Sequence, residues 1–121
     1  MAIHTQLPIH KKGIELLSLA FKAQVQMPRG VKRSLGDKIS HHCIEMLDLM
    51  AMANATKGSE RAAYIQELMK HQRASQVLFR VAHDSRYVSH DLWGKSVQIL
   101  EDIGRQGGGW LKSATNRAPA A

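Results

Sequence analysis

The chain lacks the features that mark secreted and membrane-spanning proteins. It has one cysteine, Cys43, in 121 residues, which excludes an internal disulfide framework and fits a reducing compartment. No stretch approaches the roughly 18 continuous apolar residues of a membrane helix, and the first residues contain no long apolar segment. We therefore expect a soluble, cytoplasmic protein with no membrane partner, in which Cys43 is a free thiol within the core.

Aromatic and acidic residues are also scarce. Phe, Trp and Tyr make up 5% of the chain, and 10 Asp and Glu stand against 17 Lys and Arg, for a net charge of +7. An excess of cations predicts an anionic partner such as nucleic acid or an acidic protein surface. Few aromatics for base stacking favour phosphate contacts with little sequence selectivity. A basic, soluble bundle without any polyanion partner is the alternative.

The patterns typical of catalytic and metal sites are absent. The run His-His-Cys at 41–43 places adjacent side chains about 100° apart on a helix, and no metal-ligand spacing accompanies it. His83 and His90 each precede an aspartate, but sequence neighbours are not a catalytic arrangement. The glycines at 107–109 have no Lys-Ser/Thr after them and are no phosphate loop. We expect neither metal nor cofactor, and no enzymatic activity.

Four helical segments are predicted between three turn-forming stretches at 27–34, 54–59 and 84–89. The first runs over 8–26, the second begins at Ser34, the third at Ser59 and the fourth after Ser89. Their predicted apolar stripes, in chain order, are Ile14, Leu17, Phe21 and Val25; Leu35, Ile39, Cys43, Met46, Leu47 and Met50; Tyr64, Leu68, Ser75, Leu78, Phe79 and Ala82; and Leu92, Ser96, Ile99, Leu100, Ile103, Trp110 and Leu111.

Capping residues and glycines set the expected helix ends. Ser34 with Asp37 resembles a capping box, and Ser89 is a suitable cap for the last helix. Glycines in a helix interior cost about 1 kcal/mol each relative to Ala, so the last helix should bend or end at 107–109, unless a neighbouring backbone packs closely there. We predict a bundle domain over 1–113 and a disordered tail over 114–121.

Four helices of similar length with short connections predict an all-α, antiparallel up-down four-helix bundle. This topology puts the first and third connections at the same end. The cations expected to meet there are Arg29, Lys32, Arg33, Lys38, Arg80, Arg86 and Lys95. We predict a phosphate-binding surface at this end, with Arg73 and Arg80 on the polar face of the third helix. A merely solvated bundle end is the alternative.

Three phrases of the sequence resemble one known family. MPRGVKRSLGDKI at 27–39 resembles the P-R-x-x-R/K-x-x-L-G-x-R/K-I signature of the small four helix bundle protein family. AHDSRYVSHDLW at 82–93 and IGRQGGGWLKSA at 103–114 resemble that family's third connection and its closing phrase. The match covers roughly 8–114 and is nearest to the accessory variability determinant (Avd) branch of diversity-generating retroelements. The sequence departs from the family at Gly107, where a larger apolar residue is more common.

The resemblance implies a non-enzymatic helical protein that forms a five-fold ring or barrel, a homopentamer, with a basic surface. Such a protein binds a reverse transcriptase and RNA or DNA, and supports mutagenic copying of a template RNA into cDNA. The matched basic positions are Arg29, Lys32 or Arg33, Lys38, Arg86, Arg105 and Lys112. The alternative is the sister branch encoded within intervening sequences of bacterial rRNA genes, an interaction protein with no polymerase partner.

Overall fold

Four long helices form where the turn signals predict four helical segments. The computed structural model describes residues 3–116. A short 3-10 turn, His4–Gln6, precedes the first long helix. The long helices are α1 (Pro8–Gln26), α2 (Asp37–Asn54), α3 (Gly58–Asp84) and α4 (His90–Asn116). No strand occurs within the described residues, and the prediction of an all-helical fold is confirmed.

The four helices enclose one main core. Helix α1 packs against α2 and α4, and α3 packs against the same two helices, so α1 and α3 lie on a diagonal. The predicted stripes of the second, third and fourth segments supply most of the fully buried side chains, including Ile39, Cys43, Met46, Met50, Leu68, Phe79, Leu100 and Ile103. The one buried glutamine, Gln72, donates from Nε2 to the Leu100 carbonyl at 2.9 Å, which joins α3 to α4.

The predicted stripe of the first helix is wrong at three of its four positions, and only the partly buried Leu17 packs against the core. Ile14, Phe21 and Val25 are 50%, 51% and 76% exposed. The residues of α1 that are buried instead are Ile9, His10, Gly13, Leu16, Leu19, Ala20 and Ala23. Both sets recur at steps of three and four, so periodicity alone does not choose between them. Gly13 decides which face of α1 packs against α2, because a Cβ there would lie 2.7 Å from Leu47 Cδ2. The small residues of this face let α2 approach closely.

The predicted cap at Ser34 is also wrong. Pro28 holds an extended backbone with φ −58° and ψ 149°, and helical structure begins directly after it with the turn Arg29–Val31. A π-helical segment, Lys32–Gly36, then leads into α2. Ser34 therefore lies inside helical structure, and its hydroxyl donates to the Val31 carbonyl at 3.3 Å instead of accepting from a free N–H at the helix start.

Helix α4 begins as predicted and does not end at the glycines. The Leu92 N–H donates to Ser89 Oγ at 3.1 Å, which confirms the cap. The backbone stays helical through 107–109. Gly107 is buried, and a Cβ there would lie 2.6 Å from Met69 Sδ. The close neighbour at Gly107 is thus a side chain of α3 rather than a backbone.

The end of α4 lies beyond the predicted start of the tail. The sequence predicts disorder from 114, but Ala114 is buried and the helix continues to Asn116. The cause is packing, because Ala114 joins a small cluster with Ala53, Ala62 and Ile65 on α2 and α3. The remainder of the predicted tail, 117–121, lies outside the described residues.

Candidate nucleic-acid interface

One glutamine of α1 holds the start of the second helical segment. Gln24 Nε2 donates to the Lys32 carbonyl at 2.7 Å and to Asp37 Oδ1 at 2.7 Å. Gly36 is buried against the same side chain, since a Cβ there would lie 2.7 Å from Gln24 Cγ. The π-helical segment is therefore tied to α1, and its basic side chains are carried on a fixed backbone.

Four cations at this helix start have no carboxylate partner within residues 3–116. Arg29, Arg33 and Lys38 are exposed and Lys32 is half-buried. Among the ion pairs found within residues 3–116, none includes any of the four. Neither the turn Arg29–Val31 nor the π-helical segment Lys32–Gly36 contains an acidic residue in its first turn. Cations at a helix start oppose the helix dipole by about 0.3–1 kcal/mol each, so stability alone does not account for this group.

The third connection places another exposed arginine in an unfavourable backbone conformation. Arg86 has φ +62°, a left-handed conformation that side chains with a Cβ rarely adopt. Its N–H donates to the His83 carbonyl at 2.9 Å, and the Tyr87 N–H donates to the Ala82 carbonyl at 2.8 Å. These two bonds form a Schellman motif, in which the left-handed residue is usually glycine. An arginine here costs stability that a glycine would not.

A hydrogen bond joins the two basic connections. The Ser89 N–H donates to Gln26 Oε1 at 2.7 Å. Arg29 follows Gln26 by three residues and Arg86 precedes Ser89 by three, so each backbone lies within about 11 Å of this contact. The structure therefore brings Arg29 and Arg86 to the same end of the molecule, as the sequence predicts. We call this surface, with Arg29, Lys32, Arg33, Lys38, Arg80 and Arg86, the basic end.

Arg80 belongs to a hydrogen-bonded cluster beside the third connection. Its Nε lies 3.5 Å from Asp84 Oδ2, while His83 Nδ1 lies 3.1 Å from Asp84 Oδ1. The hydrogen bond from His83, with a further one from Arg80, lowers the pKa of the Asp84 carboxyl. His83 Nε2 lies 3.1 Å from His90 Nδ1, and the His83 ring stacks on Trp93 with centroids 4.2 Å apart.

The remaining predicted cations spread along the bundle. Lys95 lies about 9 Å along α4 from the Ser89 cap, whereas Arg105 and Lys112 lie about 24 Å and 35 Å from it at 1.5 Å per residue. Arg73, exposed on α3, stands about 10 Å before Arg80. The structure therefore keeps Arg105 and Lys112 away from the basic end, and they do not form one surface with it.

A groove between α1 and α4 is not predicted from the sequence. Lys12, Lys22, Lys95 and Arg105 line it, and its volume is about 750 Å³. Three of these cations are paired with carboxylates on their own helix, at 3.1 Å for Lys12 and 3.2 Å for Lys95. The charged residues on each helix recur at steps of three and four. This spacing predicts a shared groove only once α1 and α4 are known to be neighbours.

Comparison with family models, characterised proteins and solved structures finds no match to this chain. Within residues 3–116, no helix is both long and apolar enough to cross a membrane. The same residues contain no cluster of three or more side chains suited to hold a metal ion. The geometry of the basic end is therefore the main structural basis for assigning a function.

Proposed function

We propose that this protein binds nucleic acid through the phosphate backbone, at the basic end, without enzymatic activity. The observation that carries the proposal is Arg86, which stays exposed in a left-handed conformation at the end where Arg29 and Arg33 lack carboxylate partners. A residue kept in a costly conformation is a reason to look for function. Unneutralised cations close together are what a polyanion needs.

We further propose that the protein is an accessory factor of a diversity-generating retroelement, of the type that the sequence resembles. In this role it binds RNA and a reverse transcriptase and supports mutagenic cDNA synthesis. Its fold is an antiparallel up-down four-helix bundle, and the contact between Gln26 and Ser89 supports the meeting of the first and third connections. The polymerase partner rests on the resemblance, whereas phosphate binding rests on the basic end itself.

The proposed assembly is a homopentameric ring. Exposed apolar side chains on two diagonal helices support a head-to-tail contact: Ile14, Phe21 and Val25 on α1, and Val77 and Val81 on α3. Different patches on opposite sides of a subunit can join copies in a closed ring. The number five comes from the resemblance.

Phosphate binding is tested by charge removal. The variant Arg29→Gln, Arg33→Gln, Arg86→Gln is titrated with single-stranded RNA over a range of salt concentrations. Each lost phosphate contact should lower the slope of log K against log salt by about 0.7–0.9, with little change in sequence preference. Helicity should be retained, because these side chains are exposed.

A matched control removes the same charge elsewhere. The variant Lys11→Gln, Lys57→Gln, Lys70→Gln has the same net charge, and all three lysines are exposed outside the basic end. It should keep most of the affinity and the salt slope. Equal effects of the two variants would show that binding depends on net charge alone, and unchanged binding by the first variant would remove the basic end from the assignment.

The genomic neighbourhood separates the retroelement role from its alternative. A reverse transcriptase gene and a near-duplicate pair of template and variable repeats beside the coding sequence would support the accessory factor. A position within an rRNA gene would instead support the intervening-sequence type, a bundle without a polymerase partner. Co-purification with the neighbouring reverse transcriptase then tests the contact directly.

A further inference from the structure

A small pocket lies between α3 and α4, next to the basic end. Its volume is about 170 Å³, which is below the roughly 300–1,000 Å³ of pockets for drug-sized ligands. Phe79, Ser96 and Leu100 line it as buried residues, and Gln76 and Arg80 are exposed beside them. The size suits one planar ring system rather than a whole nucleotide.

The tryptophan of this pocket is held in a fixed position. Trp93 lines the pocket and is half-buried. The His83 ring stacks on it at 4.2 Å with an interplanar angle of 18°. His83 is in turn bound to Asp84 and to His90, each at 3.1 Å. An aromatic ring fixed before binding loses little conformational freedom when a second ring stacks on it.

The polar groups of the pocket match a nucleobase with its phosphate. Indole rings and guanidinium groups both stack on unpaired bases. The Gln76 amide provides a donor and an acceptor for the hydrogen-bonding edge of a base. Arg80 stands on the same helix, one turn after Gln76, and carries a cation at the pocket edge for a flanking phosphate. Arg86 lies further along the same chain segment and extends the phosphate-binding surface.

We infer that this pocket takes one unpaired base of a single-stranded nucleic acid, stacked on Trp93 while the basic end binds the adjoining phosphates. The inference deepens the proposed function and rests on it. It assigns a base contact to a protein whose aromatic content alone predicts only phosphate contacts. A single strand that carries its bases should therefore bind more tightly than an abasic strand of the same length.

Trp93 fluorescence measures the contact without altering the pocket. In a Trp110→Phe background, Trp93 is the only tryptophan. An oligoadenylate of about 12 nucleotides, within the usual site sizes of single-strand binders, should quench this fluorescence. An abasic strand of equal length and charge should bind about ten-fold more weakly and leave the emission unchanged, since stacking of one base corresponds to roughly 5- to 150-fold in affinity.

Two variants locate the preference at the pocket. Trp93→Leu should lose the preference for oligoadenylate over the abasic strand, whereas Trp93→Phe should keep part of it. Gln76→Ala should change the relative affinities for the four homopolymers, and Gln66→Ala, an exposed glutamine ten residues earlier on α3, should not. Circular dichroism checks that each variant is folded.

The outcomes distinguish this inference from the proposed function. If both strands bind equally and Trp93 emission does not respond, the base pocket is wrong while phosphate binding stands. If neither strand binds at low salt, the proposed function fails and the inference fails with it. Trp93 quenching by oligoadenylate but not by the abasic strand supports the pocket, together with equal affinities of Trp93→Leu for the two strands.

Discussion

Arg86 combines a conformational cost with an exposed charge, and one substitution removes both with opposite effects on stability and on binding. Arg86→Gly should raise the free energy of unfolding by about 1 kcal/mol, because glycine adopts φ near +60° without a Cβ clash. The same variant should bind RNA more weakly. Urea unfolding and salt titration measure the two effects, with Arg86→Lys as the control that keeps both the charge and the strain. Lower stability in Arg86→Gly would show that the arginine side chain supports the fold.

Cys43 is free and fully buried, as predicted from its place in the apolar stripe. Burial raises the pKa of its thiol to about 12, so almost no thiolate, the reactive form, exists near neutral pH. A bulky thiol reagent should leave the folded protein unmodified at pH 8 and modify it rapidly in denaturant. Modification of folded protein at a rate close to the denatured one would show that this part of the core opens readily.

We expect the half-buried His42 to give the fold a pH dependence. Its Nδ1 atom lies 2.8 Å from His71 Nδ1, between α2 and α3. Burial lowers the pKa of His42, and the neighbouring His71 lowers it further. The unfolded state therefore binds more protons than the folded state below the ordinary value of 6.5, and stability falls as the pH drops through that value towards the folded pKa.

The lowered pKa of His42 predicts a melting temperature that decreases from pH 7 to pH 5. His42→Gln should flatten this decrease, because it removes the half-buried imidazole that resists protonation. His41→Gln, at the exposed neighbouring position, should keep most of it. Thermal melts across the pH range measure the slopes, and equal slopes in all three proteins would assign the pH dependence to other groups.

At the scale of an element, the glycines of α4 are not equivalent. A Cβ at Gly108 or Gly109 would meet nothing within 4 Å, whereas one at Gly107 would lie 2.6 Å from Met69 Sδ. Gly108→Ala and Gly109→Ala should each raise the free energy of unfolding by about 0.5–1 kcal/mol. Gly107→Ala, the matched control, should bring no such gain because Met69 must move. Denaturant unfolding gives the three values, and a loss at Gly108 or Gly109 would contradict the open surroundings.

Helix α1 has two apolar faces, of which only one contacts the core. Its buried face contains small residues that admit α2, while Phe21 and Val25 remain exposed. Exposed apolar side chains of this size on a surface helix are a common feature of contacts between subunits. The error in the predicted stripe therefore locates a surface that the core does not use.

At the scale of the whole molecule, these faces predict an oligomer in solution. Light scattering should give a mass several times the 13.5 kDa of the chain, and five times that mass if the resemblance holds. Phe21→Glu with Val25→Glu should dissociate the assembly, and so should Val77→Glu with Val81→Glu. A monomer mass for the unsubstituted protein at micromolar concentration would contradict the ring.

Mixing the two double variants tests the head-to-tail arrangement. Each variant retains one intact face, so the mixture should form a dimer through one interface and grow no further. If one of the variants forms dimers by itself, the intact face pairs with its own copy and the contact is symmetric. Lys11→Gln with Lys70→Gln, exposed elsewhere on α1 and α3, lowers the net charge as much as either double variant and controls for the change in charge.

The sequence by itself determined the number of helices, their approximate limits and most of the core. Pro8 and Ser89 mark helix starts through local chemistry, and the stripes of α2, α3 and α4 each have one dominant apolar face. The net charge and the position of the basic segments also follow from sequence. Such features depend on residues within a few positions of each other, where periodicity and capping are informative.

Only the tertiary structure decided which face of α1 is buried, how α4 continues through its glycines, and which side chain joins the two basic connections. Each depends on a residue distant in sequence: Leu47 against Gly13, Met69 against Gly107, and Gln26 against Ser89. The pocket at Trp93 likewise needs α3 and α4 together. Close packing selects among periodic faces that are equivalent within one helix, because volume and hydrogen-bond partners are set by the neighbouring helices.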